Sequence, residues 1–137
     1  MNAINRKAIF QGTAVFAGLY ILHLVIVPIL AQFMEGGWKS PALFGLSQLI
    51  GVLTCVAGGF VAGRVAQERG FFYGFNVGAL GTILSAAAAA LWSLVTGAKL
   101  PLLWSLPVMI LVNGFIGAVS GIVATNFEQI KGGYWKD

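Results

Sequence analysis

Residues 58–74 decide the fold, and they read GGFVAGRVAQERGFFYG. Gly59 and Gly63 precede a short charged segment, and Gly74 follows it. Residues four positions apart lie on one face of an α-helix, so these glycines leave helix faces with almost no side chain. The stretch therefore predicts two neighbouring helices, joined by a short polar turn, that approach other helices closely.

The composition is that of a membrane protein. Of the 137 residues, 58% are hydrophobic and 9% are charged, whereas a soluble domain carries about 25% charged residues. A helix needs ~20 residues to cross a bilayer core, and four apolar stretches reach that length, at about 8–33, 42–66, 72–96 and 102–126. The first is too long for a secretory signal. We expect an all-α, integral membrane four-helix bundle, a single transmembrane domain over residues 1–137 that contacts the lipid bilayer.

Lysine and arginine predict the orientation of the spans, because cytoplasmic loops are enriched in them. One side of a four-span bundle carries Arg6, Lys7, Arg64, Arg69, Lys131 and Lys136. The other side carries Lys39 and Lys99. Both termini are therefore predicted to be cytoplasmic, with Arg64, Arg69 and Lys131 as interface anchors. These charges sit at the ends of spans, so no basic patch for nucleic acid is expected.

The chain also contains an internal repeat. A shift of 62 residues lays FQGTAVFAGLYIL at 10–22 over FYGFNVGALGTIL at 72–84, and six of the thirteen positions are identical. The repeat units are about 8–69 and 70–131. Each unit holds an even number of spans, so the copies are parallel and related by an axis along the membrane normal. This predicts two tandem parallel helical hairpins.

Small residues recur at every fourth position in three of the predicted helices. Such rows let helices in a bilayer approach closely and form interhelical hydrogen bonds. The helix-packing residues predicted in this way are Ser47, Gly51, Cys55, Gly59, Gly63, Gly74, Gly78, Thr82, Asn113, Gly117, Gly121 and Thr125. They make more packing surface than four helices need, which favours an outward-facing row that contacts other membrane protein subunits or a second copy in a homo-oligomer.

The same glycines outline a phosphate-binding loop without completing it. Such a loop reads GxxxxGK[ST] between a strand and a helix. Here Arg64 and Val65 stand at its last two positions, and the glycines fall within an apolar span. We therefore expect no bound nucleotide. No metal is expected either, because the single cysteine, Cys55, belongs to no CxxC pair.

His23 is the one histidine, and it lies near the middle of the first span. An ionisable residue at that depth is a functional candidate by default. Ser85, its partner in the repeat, and Asn113 are expected at similar depth. Three roles stay open for His23: a buried hydrogen bond, ligation of a haem or chlorophyll-type pigment, and a place on a solute path. No carboxylate lies at that depth, so we expect no catalytic residue and no enzyme.

The segment at 58–74 resembles a group of small bacterial four-span membrane proteins of unknown function, which share its Gly-Gly-x-x-Ala-Gly-Arg start. A short basic loop and another glycine-rich helix follow that motif in the group, as they do here. The resemblance implies a location in the bacterial inner (cytoplasmic) membrane. It carries over no catalytic residue.

Three functions follow as expectations. The first is a non-catalytic accessory or scaffold subunit that packs against partner membrane helices, with or without bound lipid or pigment. The alternative is a small oligomeric transporter or channel with a polar path near His23, Ser85 and Asn113. The third is a haem- or chlorophyll-binding subunit that uses His23.

Overall fold

The structure, a computed structural model, describes residues 4–97 and 103–134 and contains no strand in those ranges. Its four long helices are α1 Arg6–Phe33, α2 Pro41–Ala66, α3 Gly70–Thr96 and α4 Leu106–Tyr134. Each of them is long and apolar enough to cross a membrane. The prediction of an all-α fold with four candidate spans is thus confirmed.

Prolines open two of the helices. Pro41 begins α2 directly after Ser40. The sequence places the start of the fourth span at 102, but α4 begins at Leu106 and has Pro107 in its first turn. Proline is favoured there because the first N–H groups of a helix have no partner within it. At its other end α4 continues past the predicted limit of 126, to Tyr134.

A tight turn of three residues, at 67–69, joins α2 to α3. The Gln67 N–H donates to the Gly63 carbonyl oxygen at 3.0 Å and ends α2. Gln67 and Arg69 have φ angles of 58° and 50°, in the left-handed region that costs a non-glycine residue roughly 1–2 kcal/mol. We call the end of the bundle that holds this turn the α2–α3 end, and the opposite end the α1–α2 end.

Two glycine layers hold α2, α3 and α4 together near the α2–α3 end. The first layer is Gly59, Gly74 and Gly117, and the second is Gly63, Gly70 and Gly121. A Cβ added to Gly59 or Gly74 would collide with the α4 backbone at Gly117. A Cβ added to Gly63 or Gly70 would collide with it at Gly121. α4 thus lies in the groove between α2 and α3. Close backbone approach of this kind supplies much of the attraction between helices surrounded by lipid.

α1 packs on the opposite side of α2 and α3. Gly12 lies against Gly58 and Val77, and the Phe16 ring covers Gly81. Within the described residues α1 contacts both α2 and α3 but not α4. The four helices therefore form a rhombus in cross-section, with α2 and α3 across its short diagonal.

This packing departs from the symmetry that the sequence repeat predicts. A twofold axis would give α1 and α4 a contact like that between α2 and α3, and they have none within the described residues. It would also place Gly59 beside Gly121, its partner in the repeat, whereas Gly59 lies beside Gly117. The contact is displaced by about one helical turn. The tandem arrangement stays a prediction.

Candidate functional site

A cavity of about 330 Å³ lies between the four helices, in the half of the bundle toward the α1–α2 end. It extends from Cys55 and Asn113 at mid-bundle to Ser105, just before α4 begins. The glycine layers lie beyond it, toward the α2–α3 end. Pockets for small molecules start at about 300 Å³, so the cavity has the size of a site for a small solute.

The three polar residues that the sequence predicts near mid-span all line this cavity. His23 lies on α1, Ser85 on α3 and Asn113 on α4. They are far apart along the chain, so only the packing of the helices brings them to one space. α2 completes the wall with Thr54 and Gln48, among others.

His23 links α1 to α2 at the cavity wall. Its Nε2 lies 3.0 Å from Oγ of Ser47, and the two atoms share a hydrogen bond. Nδ1 of the same ring is buried and has no hydrogen-bond partner among the described residues. A buried polar atom left without a partner costs about 1–3 kcal/mol. The ring is thus anchored through one nitrogen and unsatisfied at the other.

Three hydroxyl groups in the wall donate to their own helices. Thr54 Oγ1 donates to the Ile50 carbonyl at 2.9 Å, Thr82 Oγ1 to Gly78 at 2.8 Å, and Ser85 Oγ to Gly81 at 2.8 Å. Each bond reaches back four residues, as Ser and Thr commonly do inside helices. A hydroxyl has one proton, so these oxygens have only lone pairs left to offer.

Asn113 links α4 to α3. Its Nδ2 donates to Thr82 Oγ1 at 2.9 Å. Because the Thr82 proton is already given to Gly78, Thr82 must accept, and this fixes the Asn113 amide with its nitrogen toward α3. Hydrogen bonds of this kind between membrane helices are worth about 0.6 kcal/mol on average.

An aromatic strip on α1 forms one wall of the cavity. The rings of Phe16 and Tyr20 are stacked with centroids 6.3 Å apart, and the ring of His23 follows 5.9 Å from Tyr20. All three residues line the cavity. Phe16 is also buried against Gly81, which ties the strip to the helix packing.

Three residues of the predicted α2 packing row line the cavity instead of sitting in the glycine layers. A Cβ added to Gly51 would meet no atom within 4 Å. Ser47 contacts His23, and Cys55 is buried at the cavity's mid-bundle end. Within this row, only Gly59 and Gly63 lie in the glycine layers.

The other predicted packing residues lie in contacts between helices. Gly74 and Gly78 of α3 lie against α4, and a Cβ added to Gly70 would meet Thr125 Oγ1 at 2.5 Å. The Thr125 hydroxyl donates within α4, to Gly121 or Ile122. These rows are therefore used inside the bundle.

No family model, curated protein or solved structure matches the chain. The resemblance to small bacterial four-span proteins stays a prediction, and the site is interpreted from its own geometry.

The residues present offer hydrogen bonds rather than a metal site. Within residues 4–97 and 103–134, no group of three or more His, Cys, Asp or Glu side chains is placed to hold a metal ion. Ligation of a pigment metal by His23 would require Nε2 to leave Ser47, because Nδ1 is buried.

The predicted interface anchors lie away from the cavity. Arg64 is exposed in the last turn of α2, and Arg69 is exposed just before α3 begins. Lys131 lies in α4, and its side chain is outside the described part of the structure.

Sequence reasoning missed the partners of the polar residues. The small-residue pattern predicts packing roles for Ser47 and Thr82 and no role for Gln48. Their positions every fourth residue fit a packing row and a polar wall equally well. The neighbouring helices decide between the two roles, and no local pattern encodes which helices these are.

Proposed function

We propose that the chain is a small integral membrane transport protein that binds a solute in the four-helix cavity, on a polar path past His23, Ser85 and Asn113. The observation that carries the proposal is that these three residues, taken from α1, α3 and α4, line one cavity. Buried polar side chains among apolar membrane helices are costly and mark solute paths. No catalysed reaction is part of the proposal.

Insertion in the membrane is part of this proposal. The faces that the four spans turn outward are apolar, with exposed side chains such as Leu22, Leu53, Leu84 and Leu111. Lysines and arginines favour cytoplasmic termini, in the inner membrane of a bacterium. That orientation turns the α1–α2 end, and the cavity, away from the cytoplasm.

Residues from both copies of the sequence repeat line the cavity. Four repeat-related pairs line it: Tyr20 and Thr82, His23 and Ser85, Ser47 and Met109, and Gly51 and Asn113. Binding sites between structural repeats near the bilayer midplane are common in secondary transporters.

Solute flux into proteoliposomes tests the proposal. Stopped-flow light scattering would follow the entry of glycerol, erythritol and urea. Gly51→Leu places a side chain in the cavity, where there is open space, and we expect it to abolish the flux. Gly45→Leu is the matched control, because Gly45 lies on the same helix, is exposed, and also has no atom within 4 Å of an added Cβ.

The residues of the path are tested in the same assay. We expect His23→Ala and Asn113→Leu each to lower the flux of the permeant solute. Flux no higher than in empty liposomes for all three solutes, or flux unaffected by Gly51→Leu, would contradict the proposal.

A second function, the non-catalytic accessory subunit, is favoured by a separate surface. A groove of about 470 Å³ between α2 and α4 is lined mainly by apolar side chains, among them Phe60, Phe115 and Val119. It is suited to a helix of another subunit or of a second copy. The internal rows no longer argue for this function, since the glycine layers use them inside the bundle.

Native mass spectrometry of the protein extracted in mild detergent tests this second function. We expect a complex that Val119→Trp weakens, because the larger tryptophan side chain fills the groove. Val108→Trp, at another exposed position of α4, should leave it intact. A monomer without any bound protein would count against the accessory role.

A further inference from the structure

Several oxygens in the polar wall of the cavity can only accept hydrogen bonds. Thr54 and Ser85 have given their hydroxyl protons to carbonyls of their own helices. Asn113 is held with one N–H on Thr82, which leaves its carbonyl oxygen to accept. A ligand that pairs with these oxygens must bring O–H or N–H groups of its own.

The wall also contains donors. Asn113 retains a second N–H on its amide nitrogen, Gln48 contributes another amide, and Tyr20 contributes a hydroxyl. These groups suit a ligand whose oxygens accept as well as donate. A hydroxyl group does both with one atom, so a polyhydroxylated ligand fits the wall better than an amine.

No charged side chain stands among the described residues that line the cavity. An ionised ligand would therefore lack a compensating charge, and a buried charge without a partner is very costly. A wall without charged side chains therefore favours a neutral ligand.

The rest of the wall is apolar and partly aromatic. Phe16 and Tyr20 present stacked rings, with Val52, Leu106 and Met109 around them. A cavity of about 330 Å³ is at the low end of small-molecule sites, which run from about 300 to 1,000 Å³. These limits fit a compact molecule that has one polar and one apolar face.

From these four properties we infer that the cavity takes an uncharged, polyhydroxylated solute of the polyol or monosaccharide class, held by Ser85 and Asn113 as hydrogen-bond acceptors. The inference rests on the proposed solute function and names the chemical class of the solute. The stacked α1 rings contact its apolar face.

Protection of a thiol in the cavity tests the inference. Gly51→Cys in a Cys55→Ala background places a single thiol in the open space beside the cavity. Its reaction with methyl methanethiosulfonate is followed by intact mass in detergent. The probes are erythritol, its tetramethyl ether, which keeps the oxygens but has no O–H, and the cation choline. Gly45→Cys in the same background is the control outside the cavity.

We expect erythritol to slow the reaction at position 51 at least threefold and to leave position 45 unchanged. The ether and choline should not protect. Equal protection by the ether would overturn the role of ligand O–H groups, and stronger protection by choline would overturn the neutral class. A thiol at position 51 that reacts freely with every probe present would overturn the polyol class, while the open cavity of the proposed function stands. A thiol that does not react at all would count against the open cavity itself.

Two serine-to-alanine variants distinguish an effect on solute binding from an effect on stability. Ser85→Ala removes an acceptor from the wall together with a bond to Gly81, and Ser93→Ala removes a similar bond, to Ala89, outside the cavity lining. We expect Ser85→Ala to weaken protection by erythritol several-fold and Ser93→Ala to leave it unchanged. In the unmodified chain, erythritol should raise the thermal unfolding midpoint more than its ether does. Equal midpoint shifts by erythritol and its ether would overturn the inference. Equal effects of Ser85→Ala and Ser93→Ala on protection by erythritol would also overturn it.

Discussion

Two alanine variants on α2, one in a glycine layer and one at the cavity, compare how the two regions contribute to stability. Gly59 packs in a layer, where an added Cβ would lie 2.5 Å from Ser120 Oγ and 2.8 Å from Gly117 Cα. Gly51, two turns earlier on the same helix, has no atom within 4 Å of that position. The two substitutions therefore change helix propensity alike and differ in crowding.

The expected free energies follow from these surroundings. Replacing a mid-helix glycine by alanine stabilises a helix by about 0.5–1 kcal/mol, and both variants gain this. Gly59→Ala also overfills a packed contact, which costs about 1–3 kcal/mol. Gly51→Ala should thus be slightly more stable than the unmodified chain. The unfolding equilibrium constants of the two variants should differ roughly 5- to 140-fold.

Reversible unfolding by SDS in mixed micelles, followed by far-ultraviolet circular dichroism, measures this difference. Equal unfolding curves for Gly59→Ala and Gly51→Ala would refute the reasoning, because α4 would then not depend on backbone contact with α2. A stabilised Gly59→Ala would have the same meaning.

Variants at three further places examine local features by the same unfolding measurement. Asn113→Leu and Thr82→Val should show a coupling energy of about 0.6 kcal/mol in a double-mutant cycle, because Asn113 donates to Thr82; additive effects would mean that the bond contributes nothing. Gln67→Gly should raise the free energy of unfolding by up to about 1 kcal/mol, because it relieves a left-handed residue (φ 58°), whereas Gln67→Ala should not; a loss of stability in the glycine variant would contradict this. Tyr73→Phe should cost about 0.5–1.5 kcal/mol, because the Tyr73 hydroxyl accepts from the Asn5 N–H at 2.8 Å; an unchanged curve would show that the N-terminal end of α1 is held by other contacts.

The helices were predictable because their signal is local. Long apolar stretches and the charged turn near Arg69 are enough to place the first three helices to within about two residues at each end. α4 differs more: it begins at Leu106 instead of about 102 and continues to Tyr134 instead of about 126. The apolar residues before Leu106 continue the hydropathy pattern, whereas Pro107 favours a helix start.

The cavity was predictable only in part. Depth along the spans placed His23, Ser85 and Asn113 at one level, and the structure brings them to one space. The open space beside Gly51 was not predictable, because a small residue that lines an open space and one that packs look alike in a sequence. The identity of the neighbour, Gly117 for Gly59 and open space for Gly51, depends on long-range packing.

The glycine layers have a mechanical consequence for α4. They hold this helix at Gly117 and Gly121, while the beginning of the helix borders the cavity. The arm from Gly117 back to Leu106 is about 16 Å long at 1.5 Å per residue. A tilt of about 10° would then swing the start of α4 by ~3 Å, roughly the width of a water molecule. Such a tilt would also pull Asn113 away from Gly78 and from Thr82, so the cavity can widen only at the cost of these contacts between α3 and α4.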